Sequence, residues 1–224
     1  MRLWNFIIVS CALASASYSQ DSTAEAEYTA GLAVGAKGDE IAALAYLKRA
    51  ATLDPKMTKA YIAIGSIAEL WCGSSDGADA PCEMAIDAYQ ELVALEPWRE
   101  NAWKRLAYAS YEMDRIDQAE IDYRRALSLD ARDPEVLGGL AALDMRATHR
   151  NVVQAKADHN VVTGRELIGS PFCGQIREAN LARVNEGIAF GTRALVVKNK
   201  NGNLMSFLVG RSFSVAILRA PMAT

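Results

Sequence analysis

Three segments of the chain have the same thirteen-residue pattern, and this repetition limits the possible folds more than any other feature. The segments ALAYLKRAATLDP, AIDAYQELVALEP and AEIDYRRALSLDA begin at Ala43, Ala85 and Ala119. Positions that are three and four residues apart lie on one face of an α-helix. The pattern therefore predicts three similar helices, whose matching columns are Ala43, Ala85 and Ala119, then Leu47, Tyr89 and Tyr123, then Ala50, Leu92 and Ala126.

Each of these predicted helices follows another alanine-rich segment, so the helices come in pairs. The preceding segments are AEYTAGLAVGAK, AYIAIGSIAELW and NAWKRLAYASYEM. Gly38 and Asp39 separate the first pair, where glycine favours a helix C-terminus and aspartate caps the next helix. We expect Asp117 to act as the cap in the third pair. Pro55 and Pro97 end the first two repeats, because proline cannot extend a helix.

The pairs recur with a fixed period. Asp133 and Pro134 predict the N-cap and first residue of another helix, and the period from Glu100 to Pro134 is 34 residues. This pattern resembles the tetratricopeptide repeat, a helix-turn-helix unit of that length. The resemblance implies an all-α fold, an α-α superhelix in which antiparallel helix hairpins stack as a solenoid with a helical C-terminal cap. Neighbouring hairpins would share one core, because a single hairpin cannot bury its own apolar face.

The resemblance departs from the family pattern at three positions. Glu27 replaces the usual aromatic residue, Ser110 stands where tyrosine is common, and Ala131 replaces the closing proline. The spacing and residue size still agree over three periods. The predicted array covers residues 24–146, with repeats near 24–57, 58–99 and 100–133 and a partial fourth repeat from 134.

The second repeat contains an insertion. Its spacing from Tyr61 to Ala85 is eight residues longer than the matching spacing in the first and third repeats. The extra residues fall within WCGSSDGADAPC, whose Gly, Ser, Asp and Pro content predicts a surface loop. Cys72 and Cys82 flank this loop, and in an exported chain they would form a disulfide. The alternative is two buried thiols that behave as small apolar side chains.

The repeat pattern fades after residue 146. Residues 147–171 predict a degenerate helix followed by a linker that ends at Pro171. Residues 172–224 predict a helical hairpin and a capping helix, with a turn at NKNGN, residues 199–203. This layout is similar to that of exported bacterial tetratricopeptide proteins. The apolar stretch LMSFLVGRSFSVAIL near the end contains Arg211 and is shorter than a membrane-spanning helix, so we predict no transmembrane helix in the mature chain.

The first residues predict export. Arg2 precedes a short apolar run and then Ala14 and Ala16, which is the pattern of a secretory signal peptide over residues 1–16. The mature protein would then be periplasmic or secreted. The alternative is a structural lipoprotein anchored through Cys11. The formal net charge of −3 provides no electrostatic footprint for nucleic acid, so we expect no nucleic-acid partner.

No arrangement of residues in the sequence favours catalysis. His149 and His159 are the only histidines, and neither the i, i+4 spacing of a helical metal site nor a zinc-like grouping with cysteine is present. Cys173 has no histidine near it that would activate its thiol. We therefore predict no enzyme activity, cofactor or metal. The rival hypothesis is an exported enzyme or metal-binding protein with a site in residues 147–224 that uses these three side chains.

The resemblance places the working surface on the concave face, which the first helix of each repeat lines. It implies a non-catalytic scaffold in the cell envelope that binds a partner protein or peptide, through tyrosines flanked by Lys, Asn and Arg. A carboxylate clamp is not indicated, because Tyr28 and Leu32 stand where that clamp would begin. Whether the array forms a homo-oligomer stays open. The predicted partner-binding residues are Tyr28, Leu32, Lys59, Ile62, Glu69, Asn101, Lys104, Tyr108, Tyr111, Glu112, Glu135 and Arg146.

Overall fold

The computed structural model describes residues 23–73, 79–158 and 173–198. All regular secondary structure in these residues is helical, which confirms the predicted all-α class. The chain divides into two compact units, Met1–Met113 (unit 1) and Asp114–Thr224 (unit 2). The predicted signal peptide lies outside the described residues. The predicted turn at residues 199–203 and the final capping helix also lie outside them.

Unit 1 contains five helices in its described residues, and local sequence accounts for their ends. Asp39 Oδ1 accepts a hydrogen bond from the amide of Ala42 at 3.0 Å, and Gly38 before it has a φ of +87°, so the predicted turn and cap are both present. Pro81 lies in the first turn of the fourth helix, where its missing N–H costs nothing. The helices are α1 (residues 23–35), α2 (Glu40–Leu53), α3 (Thr58–Trp71), α4 (Ala80–Leu95) and α5 (Glu100–Glu112).

The predicted columns form the core of unit 1. Ala43 and Ala85 are fully buried, and a large side chain one turn later packs onto a glycine of the preceding helix. A Cβ atom at Gly31 would lie 3.0 Å from Cγ of Leu47, and one at Gly65 would lie 2.6 Å from the ring of Tyr89. These contacts let the backbones of paired helices approach closely, and they show that α1 and α2 run antiparallel, as do α3 and α4.

Unit 2 contains α6 (Ile116–Leu129), α7 (Pro134–Asp158) and α8 (Cys173–Lys198). Asp133 caps α7 as predicted, with Oδ1 accepting from the amide of Glu135 at 2.6 Å. Tyr123 of α6 packs against Gly139 of α7, where a Cβ atom would lie 2.6 Å from its Cε1. The glycine in contact with the large side chain thus belongs to the next repeat rather than to the same one.

α7 continues past residue 146, where the predicted repeat array ends, to Asp158, and the sequence has no glycine or proline between residues 140 and 158 that would end the helix. One prediction about a helix end in unit 2 is wrong. Asp117 does not cap α6. Asp114 forms the preceding turn with a φ of 55°, so α6 already begins at Ile116 and Asp117 lies within its first turn.

The described helices include none with both the length and the apolarity that crossing a bilayer requires.

Candidate functional site

The first helices of unit 1, α1, α3 and α5, share one face, because polar side chains connect each of them to the next. Lys59 of α3 forms an ion pair with Glu25 of α1. Arg105 Nη1 of α5 donates to Glu69 Oε1 of α3 at 2.6 Å. We call the exposed and half-exposed side chains of these three helices the first-helix face. All predicted binding residues except Glu135 and Arg146 belong to it.

The beginning of α3 contributes a cation to this face. The Lys59 ammonium lies 4.7 Å from the ring centroid of Tyr28 while it pairs with Glu25. Ile62, one turn further along α3, is half-buried and packs against the apolar core of unit 1. Tyr28 and Lys59, both predicted as partner-binding residues, thus contact each other in the structure.

Glu69 is held on both sides. The hydroxyl of Tyr89 donates to Glu69 Oε2 at 2.9 Å, while Arg105 binds the other oxygen. Burial is the main reason that the pKa of Tyr89 is raised, and the negative charge of Glu69 raises this pKa further. Glu69 therefore links α3, α4 and α5. The sequence pattern did not predict Arg105 as a site residue, although its three-residue spacing from Tyr108 is visible in the sequence.

Tyr108 of α5 is 36% exposed and lies one turn before Glu112 on the same helix. Burial raises its pKa, and the charges of Glu112 and Glu69 raise it further, against a smaller opposing effect of Arg105. The potential at the Tyr108 hydroxyl is therefore negative. Leu70, which follows Glu69 on α3, is 68% exposed.

The remaining predicted residues of the face differ in accessibility. Asn101, near the start of α5, is exposed, and so is Leu32 of α1. Lys104 retains only 15% of its side-chain exposure and lies 4.0 Å from Glu100. Tyr111 is half-buried. Asn101 is therefore more accessible to a partner than Lys104.

The predicted disulfide lies beside this face. Cys72 follows α3, and Cys82 is in the first turn of α4; their sulfurs are bonded, with Cα atoms 4.6 Å apart. The next residue, Gly73, has a φ of +77°, and a Cβ atom there would lie 2.8 Å from Glu112 Oε2. A side chain at residue 73 would displace Glu112. The disulfide between α3 and α4 is therefore next in sequence to Gly73, which packs against Glu112 of the first-helix face.

Unit 2 contains the other two predicted binding residues. Glu135 is exposed near the start of α7, and half-buried Arg146 lies 4.0 Å from Asp114. Arg146 therefore forms an ion pair with Asp114 within unit 2.

Unit 2 also contains a charged cluster that the sequence did not predict. Asp144 is 3% exposed and accepts from Arg183 Nη1 at 3.3 Å. Arg183 also pairs with Glu120 at 3.0 Å, and Arg124 pairs with Glu186 at 2.8 Å. Burial, and then the charge of Glu186, raises the pKa of Asp144 to about 6. The cluster joins α6, α7 and α8, and each of its two arginines pairs with two carboxylates.

Of the three side chains in the rival metal or catalytic hypothesis, the structure describes only that of His149. His149 is exposed on α7, His159 lies outside the described residues, and Cys173 is the first residue of α8. Within residues 23–73, 79–158 and 173–198, no three His, Cys, Asp or Glu side chains are arranged to hold a metal ion.

Comparison with known proteins supports the fold. A family model described as a bacterial transcriptional activator domain matches residues 78–153, about a third of the chain. No curated protein sequence gives a significant match. Among solved structures, MamA AMB-1 superposes with a TM-score of 0.56 at 15% identity, covering 84% of this chain and 79% of its own. A second MamA structure gives a TM-score of 0.54 at 17% identity and covers 80% of this chain and 80% of its own. A third gives a TM-score of 0.51 at 18% identity and covers 81% of this chain and 97% of its own.

These likenesses show that the chain has the tetratricopeptide-like fold of antiparallel helix hairpins, as the sequence pattern predicts.

Proposed function

We propose that this chain is a non-catalytic scaffold that binds an extended segment of a partner protein on its first-helix face. The observation that carries the proposal is the composition of that face: tyrosine, leucine, asparagine and glutamate side chains are accessible on three consecutive first helices. Ion pairs between α1, α3 and α5 hold those helices in register before any partner arrives. A preformed surface loses less conformational entropy on binding.

The kinds of side chain on the face favour a peptide or protein ligand. Tyrosine offers a large contact area with few rotatable bonds, and it is enriched among residues that dominate binding energy. Exposed Leu32 and Leu70 offer apolar contacts, while Asn101 can donate to and accept from a peptide backbone. Elongated hairpin arrays commonly use such surfaces to bind partners.

Site-specific crosslinking tests this proposal. A photoreactive amino acid at Asn101, which is exposed on α5, should crosslink a partner in intact cells. The matched control carries the same amino acid at Asp87, which is exposed on the second helix α4. Crosslinks from residue 101 that Tyr108→Ala abolishes, with none from residue 87, are the expected result. Equal crosslinking from both positions would contradict the assignment of the binding face.

We propose further that the protein works in the cell envelope. The signal-like residues 1–16 motivate this proposal, and the Cys72–Cys82 disulfide supports it because disulfides persist in oxidising compartments. Cell fractionation with the intact mass of the mature chain tests it. Cleavage after Ala16 and recovery with the periplasmic or secreted proteins are expected. A mass with lipid on Cys11 would instead support the lipoprotein alternative, and an uncleaved cytoplasmic chain would contradict both.

A further inference from the structure

One end of the first-helix face combines an aromatic ring and two carboxylates. We call Glu69, Tyr108 and Glu112 the Tyr108 patch. Contacts between α3 and α5 bring them together: Arg105 binds Glu69 at 2.6 Å, and Glu112 lies against Gly73 one turn beyond Glu69. Tyr108 lies on α5 between Arg105 and Glu112.

Unit 1 contains two cations that each contact both a tyrosine ring and a glutamate carboxylate. The Lys59 ammonium pairs with Glu25 and lies 4.7 Å from the centroid of Tyr28. The Arg49 guanidinium pairs with Glu27 at 2.8 Å and lies 4.4 Å from the centroid of Tyr46. In both cases a cation is attracted by a carboxylate and by the negative face of an aromatic ring.

Tyr108 and Glu112 form a third such combination. They lie four residues apart on α5, which makes their side chains neighbours on one face of the helix, and the tyrosine stays 36% exposed. Glu69 adds a second negative charge, which Arg105 offsets in part. Two carboxylates and one guanidinium leave a net negative charge here, so charge balance favours a positive group.

We propose that the Tyr108 patch binds a lysine or arginine side chain of the partner, so that the first-helix face selects extended segments with a basic residue. The cation would lie over the Tyr108 ring and pair with Glu112, as Lys59 does with Tyr28 and Glu25. This inference rests on the proposed function and specifies the partner of the same face.

The first experiment measures binding of short unstructured peptides, presented as an array, to the whole chain. Peptides that contain lysine or arginine should be enriched among those bound. For one captured peptide, replacing its basic residue by uncharged norleucine should weaken binding about tenfold, the size expected for a partly desolvated charge contact. This measurement leaves the protein unchanged. The loss should shrink at high salt, because mobile ions screen exposed charges.

Protein variants locate the contact. Glu112→Gln should weaken the lysine peptide about tenfold and leave the norleucine peptide within about twofold. Asp87→Asn, which removes the same charge from exposed α4, should affect neither peptide. Tyr108→Leu should weaken the lysine peptide about threefold, while Tyr108→Phe, which keeps the ring, should bind it nearly as well. Circular dichroism of each variant confirms that it is folded.

The outcomes separate this inference from the function on which it rests. If peptides bind the face, as judged by crosslinking from residue 101, but lysine and norleucine peptides bind equally, the basic-residue proposal is wrong and the scaffold proposal stands. If no peptide binds and residue 101 gives no crosslinks in cells, both proposals fail. Lysine selectivity that Glu112→Gln leaves intact would place the basic residue elsewhere and overturn the assignment to this patch.

Discussion

The two units of the chain hold their helices together in different ways. In unit 1 the described buried side chains are small or apolar except for Ser110, and a disulfide joins α3 to α4. In its ion pairs between helices the cation is solvent-exposed. In unit 2 the buried side chains include Asp122, Asp144, Thr148 and Asn180. The difference follows the sequence: the apolar columns are regular in unit 1 and become irregular along unit 2.

Regular columns allow a core to form without polar groups, because each hairpin supplies small and large side chains at matching heights. Where the columns are irregular, polar side chains enter the interface and need partners. Asn151 donates to Asn180 at 2.8 Å, and Arg183 binds Asp144. The stability of unit 1 should therefore depend on redox conditions and that of unit 2 on pH. Four changes test this comparison.

The largest effect is expected from removing the disulfide. Replacing Cys72 and Cys82 together by serine should lower the free energy of unfolding of unit 1 by about 3 kcal/mol, because the unfolded chain gains conformational freedom. Hydrogen exchange followed by mass spectrometry would measure it, with faster exchange in α3 and α4 and little change in α7. Equal acceleration in α7 and α8 would contradict the division into two units.

The second test adds a methyl group where helices approach most closely. Gly65→Ala in unit 1 and Gly139→Ala in unit 2 place a Cβ atom 2.6 Å from the Cε1 atoms of Tyr89 and Tyr123, respectively. Each should destabilise its own unit by about 2 kcal/mol, because the buried ring must move. Thermal unfolding would measure the loss.

Gly138→Ala is the matched control, since no atom lies within 4 Å of a Cβ atom there. It should stabilise α7 by about 0.5 kcal/mol, because alanine favours a helix over glycine. Similar destabilisation by Gly138→Ala and Gly139→Ala would show that the contact with Tyr123 is unimportant.

The third test concerns pH. The folded state raises the pKa of Asp144 to about 6 from an ordinary value of 3.8, so folding favours its protonated form. The stability contributed by protonation is complete below the unfolded pKa and is lost as pH rises through about 6. Unit 2 should therefore be more stable at pH 5 than at pH 7.

Asp144→Asn mimics the protonated carboxyl without titrating. At pH 7 it should raise the stability of unit 2 by about 1 to 2 kcal/mol, and near pH 4 this advantage should disappear. Denaturant unfolding across this pH range is the measurement. A variant that is less stable than the parent at pH 7 would show that the Arg183 contact outweighs burial of the charge.

The smallest effect is expected at the surface of unit 1. Lys59→Met removes the ion pair with Glu25 and the contact with the Tyr28 ring, yet the stability loss should stay below about 1 kcal/mol because both partners are solvated. Thermal unfolding at low and high salt would test it. A loss as large as that expected for the buried glycine variants would mean that the ion pair sets the arrangement of α1 and α3.

The sequence by itself determined the helical hairpins. The columns of Ala43, Leu47 and Ala50, with their copies, are buried in the structure as predicted. Helix periodicity and the caps at Asp39 and Asp133 depend only on neighbours a few residues apart, so local sequence contains the information. The repeat spacing likewise showed that Cys72 and Cys82 flank one inserted loop, and the predicted disulfide between them is present in the structure.

Only the tertiary structure decided how polar side chains are used. The sequence predicted Glu69 and Glu112 as binding residues but did not predict Arg105 as the partner of Glu69, because that contact depends on how α3 and α5 lie against each other. The burial of Asp144 likewise depends on α8, which lies far along the chain. Local periodicity shows which face of a helix is apolar. It does not show which charged side chains of different helices contact each other, because packing between helices sets the distances between them.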